Sequence, residues 1–194
     1  MRTRLKQLNH RNTTSPVVHT VIKDFNLLAT TYRRTEAHAR SELRYLLEQV
    51  GEPAAVVDRT GISGVIVAKT TLDPFEAIKK LREILQQRPY EFRYTLRIIP
   101  IERTVSTTLD QIQDVTKELS QKIAESETFR VTVEKRFTEL HSRDLIEAVA
   151  VNIKRKVNLS QPDNIILIEI LGQVTGVSIA KPNEILSVLK EKIL

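Results

Sequence analysis

Short β-prone runs alternate along this chain with amphipathic helical runs, and the pattern predicts a mixed α+β / α/β fold in two units. Three observations carry that expectation. Across residues 24–100 the order strand, helix, strand, strand, helix, strand is that of a ferredoxin-like split βαβ unit (βαββαβ), with two helices on one face of a four-stranded antiparallel sheet. After Pro100, residues 101–194 set out an amphipathic helix, an alternating strand, another helix and an almost continuously apolar strand, the signature of a second α/β unit. Of 194 residues 41% are hydrophobic and only five are glycine, enough apolar material for one good core or two small ones.

Residues 1–23 read as a basic N-terminal extension, polar at first, broken at Ser15-Pro16 and followed by a short β-prone run, Val17–Ile22. Phe25–Thr31 is a strand. The helix after it is marked by Ala39, Leu43, Leu46, Leu47 and Val50, which line one face at helical spacing, and Gly51 with Pro53 stops it. Ala54–Asp58 and Val65–Ala68 read as strands joined through Gly61 and Gly64. Asp73 is placed to cap the second helix, with Pro74 in its first turn, Glu76 where a capping-box acid belongs, and Phe75, Ile78, Leu81 and Leu85 as its apolar face. Phe92–Ile99 is the last strand of this unit, and Tyr90, Phe92 and Tyr94 fall on one side of it, either as core or as a stacking platform.

In the second unit Leu109, Ile112, Val115, Leu119 and Ile123 mark a helix. Thr128–Arg136 alternates: Phe129, Val131 and Val133 point one way, while Arg130, Thr132, Glu134 and Arg136 form a cation-bearing open face. Ser142 is placed to cap the following helix, whose last turn is read as ending in Lys154-Arg155-Lys156. Ile165–Ile170 has the continuous apolarity of a strand covered on both faces. Gly172-Gln173 suits a type II′ hairpin turn into Val174–Ala180, and Glu184–Ile193 reads as a short terminal helix.

Composition excludes several classes. There is no Cys, so neither a disulfide framework nor a thiolate site is available. No apolar run approaches the ~20 residues of a membrane-spanning helix, the basic N-terminus lacks the apolar core of a secretory signal, and a cytoplasmic location is expected. The four His have no ligand spacing, so no metal site is expected, and no glycine-rich phosphate loop or Ser-His-acid grouping points to catalysis or a cofactor. The net charge of +6 divides unevenly: five Lys/Arg against one acid in residues 1–24, fifteen against fourteen in 25–125, ten against nine in 126–194. Binding of a polyanion would have to rest on local clustering of cations rather than on bulk charge.

The second unit resembles a THUMP domain, the RNA-binding module of thiouridine synthases, several tRNA methyltransferases and pseudouridine synthases. The resemblance rests on RIIPI (Arg97–Ile101), TFRVTVEKR (Thr128–Arg136), SRD (Ser142–Asp144), NLSQPD (Asn158–Asp163), IILIEI (Ile165–Ile170) and GVSI (Gly176–Ile179), in this order and spacing. The run from Phe25 to Leu47 looks like the start of stand-alone THUMP proteins that serve as adaptors in tRNA acetylation. That resemblance covers roughly Phe25 to Ala180 and leaves the basic extension outside it. It implies a protein with no catalytic centre and no cofactor. Its partners would be tRNA, leucine and serine tRNAs in that family, and a separate RNA acetyltransferase that forms N4-acetylcytidine in the D-arm. It further implies a grip on the acceptor stem and single-stranded CCA end. With no methyltransferase, synthase or ATP-binding unit following the pattern, the adaptor reading is the expected one. The other expectations are a ferredoxin-like interaction or ligand-sensing module acting as a homo-oligomer without RNA specificity, and a modification enzyme with an unrecognised site.

The candidate RNA-binding residues are Arg130, Lys135, Arg136, His141, Ser142, Arg143, Lys154, Arg155, Lys156 and Lys181. Lys135 and Arg136 stand where a strand gives way to a helix N-terminus, so cations and free N–H groups face one place, as a phosphate requires. The plainer reading is a solvated strand end beside Glu134 and Glu139. Arg143 offers a planar fork to a phosphate, and Ser142 beside it is a cap in either case. His141 can stack on a base or simply be exposed. Lys154-Arg155-Lys156 is explained by the helix dipole as an alternative to RNA contact, with the dipole account preferred, and Arg33-Arg34 is read as a solvated turn in preference to a contact with RNA or the partner.

Overall fold

A computed structural model describes residues 23–192; nearly all of the basic extension, residues 1–22, lies outside them. The first unit contains β1 (Leu27–Thr31), α1 (Glu36–Gln49), β2 (Val56–Arg59), β3 (Val65–Lys69), α2 (Pro74–Gln87) and β4 (Thr95–Pro100). The second contains β5 (Arg103–Ser106), α3 (Leu109–Leu119), β6 (Thr128–Arg136), α4 (Ser142–Ala150), β7 (Lys156–Val157), β8 (Asn164–Leu171) and β9 (Val174–Ala180). The chain then gives β10 (Leu186–Ser187) and a single helical turn, α5 (Val188–Glu191).

The strands form two five-stranded sheets, ordered β10-β4-β1-β3-β2 and β5-β9-β8-β6-β7. The first is antiparallel throughout. In the second, β6 runs parallel to β7 and β8, while β9 is antiparallel to both β8 and β5. The pleat sorts the side chains. Leu27, Ala29, Ile66, Ala68 and Ile98 face α1 and α2, and their neighbours Leu28, Val65, Val67 and Ile99 face the opposite way. Likewise Ile166, Ile168 and Ile170 of β8 face α3 and α4, while Ile165, Leu167 and Leu171 face away from them.

The two outward sets meet in one buried layer together with Phe25, Ile101, Ala180 and Ile185. The molecule is therefore helices, sheet, sheet, helices, with apolar side chains sealed between the sheets. This explains why β8 is apolar at nearly every position: both its faces are covered. Burying Ile165, Leu167 and Leu171 contributes about 5–9 kcal/mol at ~1.5–3 kcal/mol each. An ion pair such as Arg82–Glu191, at 2.7 Å and partly exposed, contributes about 0–1 kcal/mol. The apolar layer, not the ion pairs, joins the units.

Local capping follows the sequence at α2, where the Asp73 carboxylate accepts from the N–H of Phe75 at 2.9 Å and of Glu76 at 3.3 Å, and Pro74 opens the helix. The β8–β9 hairpin turns through Gly172 at φ +64° with Leu171 opposite Val174, as a type II′ turn requires. Four details differ from the sequence expectation. Helix α4 begins at Ser142 itself, with His141 in the cap position and no side-chain cap, so Ser142 is its first helical residue. The expected terminal helix over 184–193 is a 3-10 turn at Pro182–Glu184, the strand β10 and one turn of helix. Strand β5 had no counterpart in the sequence reading. Tyr90, Phe92 and Tyr94 do not share a strand face: Tyr90 is exposed, Phe92 is buried in the helix-side core, and Tyr94 stacks on His38 at 4.9 Å.

Candidate nucleic-acid interface

The alternation of β6 distributes its cations between two places. Residues 129, 131 and 133 face the helices, and Lys135 continues that side beyond the core. Its Nζ donates to the Leu140 carbonyl at 2.8 Å, so the ammonium lies over the β6–α4 loop in solvent. The loop is turned by Phe137, which takes φ +55°, and by a hydrogen bond from Gly172 N–H to the Arg136 carbonyl at 2.9 Å. A left-handed backbone is uncommon for a bulky residue and costs about 1–3 kcal/mol, yet the Phe137 ring is 79% exposed. His141 and Arg143 are exposed at the start of α4, and Ser142 is half-buried beside them. Arg143 bonds to Glu147 one turn on at 2.8 Å, an exposed pair that a phosphate can displace at little cost. Strand end, loop and helix start thus gather an ammonium, a guanidinium, an imidazole and an aromatic ring. Phe137 has no part in the sequence reading; neither its left-handed φ nor its exposure has a local sequence signal such as a glycine.

The other side of β6 is not an open face. Arg130, Thr132, Glu134 and Arg136 are register partners of Ile165, Leu167, Glu169 and Leu171, so they look toward the first sheet. Arg136 is partly buried, and its guanidinium donates to the Glu169 carboxylate at 3.0 Å. Burial pushes the Glu169 carboxyl up to about 7; Arg136 opposes that shift, and the facing Glu134 adds to it. An arginine held in this way is largely committed to its own acid. Arg130 donates to the Leu159 carbonyl at 3.3 Å, and its Nε is buried with no acceptor.

Lys154-Arg155-Lys156 does not occupy the last turn of α4, which ends at Ala150, so the helix-dipole account of these cations falls. Arg155 is tied to the carbonyls of Ile123, Ala124 and Lys154, while Lys154 and Lys156 are exposed, Lys156 on the edge strand β7. Lys181 is exposed near Glu127 and Asp163, whose carboxyls are held below their usual values. For Glu127 the main cause is the Ala124 N–H, and for Asp163 the Thr128 hydroxyl and N–H; Lys181 adds a smaller part in each. The candidates thus fall into an exposed corner (Lys135, His141, Ser142, Arg143), an inter-sheet set (Arg130, Arg136) and a remote strip (Lys154, Arg155, Lys156, Lys181). A further concentration on the first unit, Arg33, Arg34, Arg40, Arg44 and Arg59, is exposed along α1 and the edge strand β2. Among the described residues no group of three His, Asp or Glu is placed to hold a metal, and no helix is long and apolar enough to cross a membrane.

Fold and surface together define a class: a two-sheet α/β protein whose second sheet carries an exposed cationic and aromatic corner. Residues 106–180 match the THUMP domain family, so the chain contains a THUMP domain. No curated protein matches the chain. Among solved structures it is similar to PH1313 from Pyrococcus horikoshii Ot3, with a TM-score of 0.61 at 20% identity, covering 81% of this chain and 55% of that one. It is also similar to TrmN from Thermus thermophilus, with a TM-score of 0.54 at 14% identity over 80% and 45% of the two chains. A third is a 4-thiouridine synthetase solved as an RNA complex with bound ATP, with a TM-score of 0.52 at 12% identity over 84% and 42%. At these identities the likeness is one of fold. The chain spans about half the length of these structures, from 42% to 55%.

Proposed function

We propose that this protein is a non-catalytic tRNA-binding adaptor that grips the acceptor stem and 3′-CCA end. It presents the tRNA to a separate acetyltransferase for N4-acetylcytidine formation in the D-arm, with leucine and serine tRNAs as the expected substrates and the cytoplasm as its place of action. In this reading residues 24–100 are a ferredoxin-like domain and 101–194 the THUMP domain. One observation carries it: within the span that matches the THUMP family, Lys135, His141 and Arg143 share the exposed β6–α4 junction with an outward-turned Phe137. Cations hold phosphates and position a strand, while an exposed ring stacks an unpaired base at about 1–3 kcal/mol. That pairing of chemistries suits single-stranded RNA. The 4-thiouridine synthetase of similar fold was solved with RNA, which supports the substrate class.

Anisotropy titration with whole tRNA and with tRNA lacking CCA tests the reading. The intact tRNA should bind more tightly, with log K falling against log salt at a slope near −3.5 for about five phosphate contacts. The double variant Lys135→Ala/Phe137→Ala should bind at least about tenfold more weakly while keeping its melting temperature, since both side chains are solvent-facing. Acetylation of the tRNA should require this protein together with the acetyltransferase. Equal, salt-insensitive binding of both tRNAs rejects the proposal.

A further inference from the structure

A groove of about 630 Å³ opens at the far end of the inter-sheet layer, where β4, β6 and the returning C-terminal segment meet. Its size is that of a small-molecule site. Four cations line it, Arg82, Arg97, Arg130 and Lys190, against one carboxylate, Glu191. Arg82 already holds that carboxylate at 2.7 Å and donates to the Ile185 carbonyl. Among the described residues Arg97 makes no ion pair and no side-chain hydrogen bond, and the buried Nε of Arg130 has no acceptor. An unpaired buried guanidinium N–H is costly to leave unmade, and an anion in the groove would give that N–H an acceptor and add a counter-charge for Arg97, whose nearest acid influence is the buried Glu169. The remaining wall supplies an apolar floor from Ile165 and Ile185, with the polar Asn183 beside it.

We infer that the groove is a binding site for a nucleotide unit, with its phosphate between Arg97 and Arg130 and its base or ribose over Ile165 and Ile185. The site is separate from the corner described above. Arg130 and Arg136 lie six residues apart on β6, about 20 Å along the strand, and Arg130 points to the opposite side of the sheet from Lys135. The nucleotide can come from an RNA strand that also touches the corner or from a free mononucleotide. The first source rests on the function proposed above, and the second does not.

The full chain is titrated with a fluorescein-labelled single-stranded RNA dodecamer by anisotropy and with cytidine monophosphate by calorimetry. Arg97→Ala/Arg130→Ala should weaken the probe that wild type binds by about tenfold or more, because charge-assisted hydrogen bonds are lost, and should reduce the salt slope by about one. Asn183→Asp places a negative charge on the exposed rim without touching the core and should weaken binding in the same sense. Wild-type affinity in both variants overturns the site, as does a wild type that binds neither probe. RNA binding that is tight but indifferent to both variants refutes the groove and leaves the RNA-binding reading standing. Arginine-dependent binding of cytidine monophosphate without RNA binding keeps the groove and removes that reading.

Discussion

Raising the pH from 5 to 8 should weaken the folded state by about 2–3 kcal/mol through one carboxyl, that of Glu169. Its native value is pushed up to about 7 from an ordinary 4.5, with burial between the sheets as the main cause. Between those two values the folded chain holds a proton that the unfolded chain has released, so stability is greatest on the acid side and falls as pH rises through 7. The full separation corresponds to about 3 kcal/mol, most of which is still present at pH 5 and is lost by pH 8. Glu36, Glu52, Glu127 and Asp163 are held low by N–H and hydroxyl donors. Their contributions have the opposite sign and disappear only as pH falls below the ordinary carboxyl range, so they leave the window nearly flat. Glu169→Gln removes the titration while keeping an acceptor for Arg136. Urea midpoints at half-unit steps of pH, at constant m, should show wild type losing stability relative to Glu169→Gln across the window. Parallel profiles from pH 5 to 8 would refute the buried-carboxylate account.

Two further outcomes follow from packing and capping. Gly176→Ala should destabilise the fold by about 1–3 kcal/mol, because a Cβ there lies 3.0 Å from two atoms of Ile101 and 3.2 Å from Phe25, all in the sealed layer; an unchanged denaturation midpoint would show that the layer yields. Asp73→Ala should cost about 1 kcal/mol through loss of its two N-terminal hydrogen bonds, read in the same assay, and Asp73→Ser should recover most of it.

What the sequence made legible was whatever repeats over a short span. Helix α2 announces itself through Asp73-Pro74 and the spacing of Ile78, Leu81 and Leu85; β8 does so through its unbroken apolar run, and the hairpin through Gly172. Segments whose structure depends on distant partners were not legible. Strand β5 is four residues long and gains its conformation by pairing with β9 some seventy positions later. Leu186-Ser187 has helix-compatible spacing, but it forms a strand because the edge of β4 offers free hydrogen-bonding groups. Glu169 stands alone as a carboxylate within the apolar run of β8, and its partner, Arg136, lies 33 positions away on the neighbouring strand. Cation types were legible; their state of pairing, which only three-dimensional register sets, was not.

That register explains why Arg130 and Arg136, on one face of one strand, have different fates. Arg136 lies opposite Leu171 beside the buried Glu169, deep enough that leaving it unpaired would cost several kcal/mol. Arg130 lies opposite Ile165, where the sealed layer gives way to the groove and no acid of either sheet reaches it. A folded protein satisfies its interior cations internally and leaves unmatched those at a solvent-accessible margin, where a ligand can complete them. By this criterion the charge available to an incoming phosphate is less than the count of Lys and Arg in the THUMP segment. It is concentrated in two places, Lys135 with Arg143 where β6 gives way to α4, and Arg130 with Arg97 of β4 near the start of β6.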